Sequence, residues 1–454
     1  MMRKLVLLAF TILALVVSLP AQAAKTAAAL YEEAKTYQDK RFAEFERRKL
    51  PFDEQRYEAT LKEQRELAAK NATQLAARGN LAGAEFYYLA ELNRLGEKYA
   101  EAVTAYRDFL ATHPARTAPF TSTSRLMLVA VNLRLKRSAD AELAFAEYVS
   151  EHPNAPRADL ALVIAARFFD DGDFPKALSY ARAALQASEV ELEKGQEDAV
   201  DALFGSGFLM SRVQAALKLP DEAIKILLGL QQRAFSQYQA LYYVEATMRL
   251  ADYLLEINRK PDALKYLDEA LSAAPKRFTQ PQTQAVALKQ LKRKLFQVRL
   301  QDEPAPELNI ANWIGREPTS LKDLQGRVVL LDFWATWCGP CIAAFPHLSE
   351  WHKKYEAQGL TIIGVTHYYG EGDGKDLTPE AELEFIKTFK ARHRLPYGLA
   401  VADNEETHRA YYVTGLPMAV LLDRSGRIRF TQVGTGPAAA KELAEQIEKL
   451  LAEK

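Results

Sequence analysis

DFWATWCGPCIAAFP, residues 332–346, holds both cysteines of a 454-residue chain, Cys338 and Cys341. Just before it runs RVVLLDFW, an apolar stretch that follows Gly326 and reads as a buried strand. From Cys341 onward, CIAAFPHLSEWHKKYEAQG has helical periodicity. Cys338 is therefore expected at a strand-to-helix junction. Two thiols at this spacing suit a structural staple, half of a metal site or a redox pair. A zinc site needs two further ligands at metal-site spacing. No second cysteine pair exists, and His347 and His352 stand five residues apart, about 140° off a shared helix face. A staple across so short a loop constrains little chain. The redox pair requires a thiolate stabilised by the N–H groups and dipole of a helix start, with its partner one turn on. That is what the stretch offers.

The pattern continues to the end of the chain. LTIIGVT reads as a second buried strand, TPEAELEFIKTFKARH as a helix and YGLAVAD as a short strand. MAVLLDRSGRIRF reads as a hairpin turning at Arg424 to Gly426, and AAKELAEQIEKLLAEK as a closing helix. Strands alternating with helices, then a hairpin, predict an α/β domain around a mixed sheet.

LLDFWATWCGPC together with VTGLPMAVLLDRSGRI resembles thioredoxin-fold proteins, and most closely extracytoplasmic members of the TlpA and ResA type. The likeness extends to the lead-in APELNIANWIGREPTSLKDLQG and to an inserted helix–strand, here LTPEAELEFIKTFKARHRLPYGLAVAD. It covers residues 304–454, about a third of the chain. The resemblance implies Cys338 as the exposed nucleophile and Cys341 as the buried resolving thiol. It implies Pro417 as the cis-proline that exposes the Leu416 backbone to an incoming peptide. Asp332 matches the buried carboxylate under the second cysteine, whose raised pKa suits a proton acceptor. Trp337, Gly339 and Pro340 shape the loop. Two positions depart from the pattern. Ala344 stands where the ResA type often has glutamate, and Met418 where thioredoxins usually have threonine. Both line the substrate surface, and both count against carrying haem-maturation specificity across from the resemblance. His367 opens the long loop HYYGEGDGKD on the active-site side of the sheet, a place from which to tune the thiolate. The glycines of that loop are no phosphate cradle, because no GK[ST] follows.

The front two-thirds reads as helix, and one pattern recurs in it. YAEAVTAYRDFLATHP sets Ala102, Tyr106, Phe109 and Pro114; SADAELAFAEYVSEHP sets Ala141, Phe145, Tyr148 and Pro153 at the same spacing. The slots return as Ala177, Ala181 and Ala184, as Ala223, Leu227 and Leu230, and as Ala263, Leu267, Ala270 and Pro275. Residues four and then three apart share a helix face. The small first slot lets a neighbouring helix come close, and the proline should end the repeat. The pattern resembles the second helix of tetratricopeptide repeats, at a longer period. FFDDGDF lacks the alternating ligands of a calcium loop and reads as a turn between helices. The Asn71-Ala-Thr acceptor pattern falls within a helix and is discounted.

The chain opens with Arg3 and Lys4, an apolar run and Ala21-Gln22-Ala23, the form of a cleaved secretory leader. The expected organisation is a signal peptide at 1–23, an all-α tetratricopeptide-like array at 24–300, a linker at 301–306 and an α/β thioredoxin-like domain at 307–454. Lys+Arg and Asp+Glu both number 59, so no net field points to nucleic acid. The expectation is a periplasmic or secreted enzyme that is free of a membrane anchor after leader cleavage and uses no cofactor or metal. It would exchange disulfides with protein substrates, draw electrons from a membrane donor and recruit a protein partner on its helices. The alternatives are a helical scaffold with a thioredoxin-like docking module, or a thiol peroxidase. A peroxiredoxin would place threonine where Ala335 stands.

Overall fold

The computed structural model describes residues 25–51, 53–113, 120–153 and 157–453. The expected leader and Pro114 lie outside the described residues. The chain divides into two compact units, Met1–Leu219 and Pro220–Lys454.

The described part of the first unit is helical, from Ala27–Lys35 to Ala199–Ala216, and successive helices pack on one another. The repeated small residues explain how. Ala102, Ala141 and Ala177 are fully buried, as are Tyr106, Phe109, Ala181 and Ala184 on the same faces. FFDDGDF spans the end of one helix and the start of the next, and the Asp173 carboxylate accepts the Lys176 N–H at 3.1 Å as a helix cap. Asn71 is buried and donates to the Leu30 carbonyl at 2.9 Å.

The second unit begins with four helices, Pro220–Ser236, Ala240–Glu256, Lys260–Arg277 and Pro281–Leu300. The repeat slots Ala223, Leu227, Leu230, Ala263, Leu267 and Ala270 are all buried. Pro275 departs from expectation: its helix runs on to Arg277. A proline in a last turn removes only one ladder bond, and Gln284 and the Phe278 N–H hold this end by donating to Pro275 and Ala274 carbonyls.

Eight strands follow: β1 Asn312–Ile314, β2 Val328–Phe333, β3 Leu360–His367, β4 Glu371–Gly372, β5 Lys375–Asp376, β6 Gly398–Ala402, β7 Met418–Leu422 and β8 Ile428–Val433. Six form one sheet in the order β1-β6-β3-β2-β7-β8. β2 runs parallel to β3 and antiparallel to β7. Every residue of β2 is buried, Asp332 included, as a strand apolar at all its other positions requires. Alternation sends Val328 and Leu330 to a core shared with Trp334, Phe345 and Ile447, under helices Gly339–Tyr355, Pro379–His393 and Pro437–Ala452. It sends Leu331 and Phe333 to the opposite core, with Tyr411 and Val420.

That second core also receives Leu300, the last residue of helix Pro281–Leu300. Residues 302–305 then lie along the β7–β8 hairpin. The Asp302 N–H donates to the Ile428 carbonyl at 2.7 Å, Ile428 returns a bond to Glu303 at 2.9 Å, and Ala305 donates to Gly426 at 3.0 Å. Lys260 donates to the carbonyls of Arg299 and Gln301 and to the Glu303 carboxylate. Phe296 stacks on Tyr412 with centroids 4.4 Å apart, and Arg293 donates to the Val433 carbonyl at 2.9 Å. Residues 301–306 are thus fastened to the sheet on one side and the helices on the other.

All four tryptophans lie between 313 and 351, so their fluorescence reports on the sheet domain. Leu300→Ala should lower its stability by about 2–4 kcal/mol, the usual cost of emptying a buried leucine site. A denaturation midpoint equal to wild type would show that this helix is no part of that core.

Candidate active site

β2 delivers the chain to the site. The Trp334 N–H continues its ladder by donating to Val365 at 3.0 Å, and the Trp334 ring packs between Phe345 and Phe389. Gly364, opposite Asp332 in register, leaves room for that ring: a Cβ there would fall 3.0 Å from Trp334 Nε1. The chain then turns into helix Gly339–Tyr355, with Cys338 as its N-cap and Pro340 in its first turn. Cys338 Sγ accepts the Cys341 N–H at 3.2 Å. The two cysteines form a disulfide, with Cα atoms 5.2 Å apart. In this oxidised form Cys338 is 5% exposed and Cys341 1%, so the expected exposed nucleophile is barely open. Trp337 beside it is 55% exposed.

Asp332 sits on the sheet face under this helix, 4% exposed. Burial pushes its pKa up from 3.8 to about 7. It shares a narrow cleft with Ala344, His347, Leu348, Pro417 and Ala419. Ala344 therefore lines the cleft where a larger acidic residue would project.

The Leu416–Pro417 peptide is cis. The Pro417 carbonyl accepts the Gly434 N–H at 2.8 Å, and Met418 pairs with Phe333 on one side and Val433 on the other. Asp332, Cys338, Cys341, Leu416, Pro417 and Met418 thus gather at one end of the central strands.

His367 ends β3 and reaches the loop by another route. Its Nδ1–H donates to the Tyr368 carbonyl at 2.9 Å, and its ring lies 3.9 Å from Tyr369, whose ring meets Trp337 edge-on at 5.3 Å. The Glu382 carboxylate, buried, fixes the loop by accepting the Tyr369 and Gly370 N–H groups. On its other side His367 meets His408 at 4.6 Å. His408 is buried against Phe333 with both ring nitrogens unpartnered, and burial, then His367, push its pKa down to about 4. Neither Glu382 nor His408 was singled out from sequence. Each lies within a helix and carries no local motif.

Residues 302–431 match the model of the AhpC/TSA family. The thiol-disulfide oxidoreductase ResA of Bacillus thuringiensis subsp. konkukian (strain 97-27) is 29% identical over 146 residues, 32% of this chain and 76% of that protein. Protein DipZ of Mycobacterium bovis is 34% identical over 140 residues, 29% of this chain and 19% of that protein. A thiol-disulfide isomerase structure from Corynebacterium glutamicum is 28% identical, covers 33% of this chain and 98% of its own, and has a TM-score of 0.29. The carboxy-terminal domain is a thioredoxin-fold thiol–disulfide oxidoreductase domain, similar to the AhpC/TSA family over residues 302–431. The family match begins at residue 302, after the last helix of the helical region.

A carboxyl whose folded pKa lies above its unfolded value stabilises the fold only while protonated. Its contribution is complete below about pH 4 and is lost as pH rises through about 7. About three pKa units at 1.36 kcal/mol each give a loss on the order of 4 kcal/mol. Oxidised Asp332→Asn should match wild type at pH 4 and exceed it in denaturant midpoint at pH 8.5. A difference between the two proteins that does not change with pH would remove the buried titration.

Proposed function

We propose that the protein is an extracytoplasmic reductase of protein disulfides, with Cys338 as nucleophile and Cys341 as resolving thiol. One observation carries the reading: a Cys338–Cys341 pair at a helix start, beside a cis-proline loop and above a buried carboxylate. The helix N-terminus stabilises the Cys338 thiolate. That thiolate attacks one sulfur of a substrate disulfide, the substrate S–S bond breaks, and its other sulfur leaves as a thiolate. The Leu416 backbone holds the substrate in extended form. Asp332 takes the proton of Cys341, whose sulfur attacks Cys338 Sγ. The mixed disulfide breaks, the second substrate thiolate departs, and the Cys338–Cys341 disulfide forms. Two electrons have passed to the substrate, and a membrane-embedded thiol donor returns them. Trp337, Gly339, Pro340 and Met418 shape the substrate face, and His367 steadies Trp337 through Tyr369.

The location rests on the leader-like residues 1–23 and on a cysteine count that leaves the couple nothing to mispair with. Among the described residues no helix is long and apolar enough to cross a membrane. The helical region, as a tetratricopeptide-like array, supplies a surface for a protein partner.

Reduced wild type should reduce insulin, Cys338→Ser should lose that activity, and Cys341→Ala should accumulate a stable mixed disulfide. Cys338→Ser retaining wild-type rates would end the nucleophile assignment. The Gly339-Pro340 pair, shared with thioredoxin, points to a potential near about −270 mV; equilibration with glutathione near about −120 mV would mark an oxidant instead. Turnover of hydrogen peroxide faster than of insulin would favour the peroxidase reading.

A further inference from the structure

Helix Pro281–Leu300 carries Lys289, Lys292, Arg293, Lys294 and Arg299, and no acidic residue. Lys294 and Arg299 are matched, to Asp252 and Asp268. Lys289 and Lys292 are exposed and have no carboxylate partner among the described residues. At 100° per residue, Lys289, Lys292 and Arg293 all fall within about 60° of Phe296. This is the face that packs on the sheet domain through Phe296 and Leu300.

The direction of the helix decides where that face goes. Near its carboxy end, Asp302 and Glu303 bond Ile428, the first residue of β8. About two turns before Leu300, Arg293 bonds Val433, the last residue of β8. The helix therefore runs antiparallel to β8, and its amino-terminal half points toward the end of the sheet where Met418 pairs with Val433 and Phe333. That end holds the cis-proline and the cysteines. Lys289 stands about 6 Å further along the axis than Arg293, past the end of β8. Phe296 anchors the helix to Tyr412, on the loop that leads to Leu416.

We propose that this helix forms one wall of the substrate groove and that Lys289, Lys292 and Arg293 select substrates with acidic residues beside the reacting cysteine. The proposal rests on the reductase reading above and deepens it. A peptide held at Leu416 extends along the rim, and its flanking side chains come alongside the basic face. An acidic segment gains Coulomb attraction there, and a basic one is repelled.

The test uses the full-length protein, reduced and freed of reductant, with three single-cysteine peptides as disulfide-linked homodimers flanked by glutamate, glutamine or lysine. Single-turnover rates are followed by tryptophan fluorescence at low salt. Wild type should reduce the glutamate peptide about three- to thirtyfold faster than the lysine peptide, as two or three exposed charge pairs allow. The preference should collapse at about 0.5 M salt. K289E/K292E should level or invert the order, with the glutamine peptide as the internal reference. Equal wild-type rates for the glutamate and lysine peptides, or an order unchanged in K289E/K292E, would overturn the proposal while leaving the reductase reading intact. If wild type reduces none of the three, the reductase reading falls, and this proposal with it.

Discussion

A carboxylate sealed beneath a helix is expensive to ionise, and the site is organised around that cost. Asp332 belongs to a strand buried along its whole length, and strand alternation aims it at the underside of the helix that starts at Cys338. Desolvation raises its pKa to about 7, so near neutrality both its protonated and its ionised forms are present. On the reductase reading proposed above, a group with that pKa is suited to take a proton from the resolving thiol. The same burial demands that β2 be apolar elsewhere, that Trp334 close the end of the strand, and that Gly364 make room for it.

Much of this was legible locally. A short apolar run broken by a single aspartate reads as a buried strand when a glycine precedes it and a helical period follows. The cysteine pair, the strand before it and the Leu416-Pro417 step each carry their signal within a few residues. The repeated alanines of the helical region likewise announced their burial, because a small residue at a fixed helical spacing has few other uses.

What was not legible depends on contacts between distant positions. His408 and Glu382 are ordinary residues within helices until the fold brings them against His367 and Tyr369. Pro275 read as a stop, yet a proline in a last turn loses too little to end a helix, and a glutamine nine residues on caps the Pro275 carbonyl. Residues 301–306 read as a spacer because prolines interrupt helical periodicity. Backbone pairing with Ile428 and Gly426 could not be read from composition, since it depends on the register of a hairpin 120 residues away.

That pairing alters the exposed margin of the sheet. β8 is an edge strand, and an open edge invites any extended chain to add to it, which is how soluble proteins come to aggregate. Here the chain occupies its own margin: residues 302–305 cover the hairpin end of β8, and Arg293 occupies the Val433 carbonyl at the other. β1, at the opposite margin, is three residues long and offers little template. Both ends of the β8 edge are thereby occupied by the chain itself, which shortens the template open to an extended polypeptide.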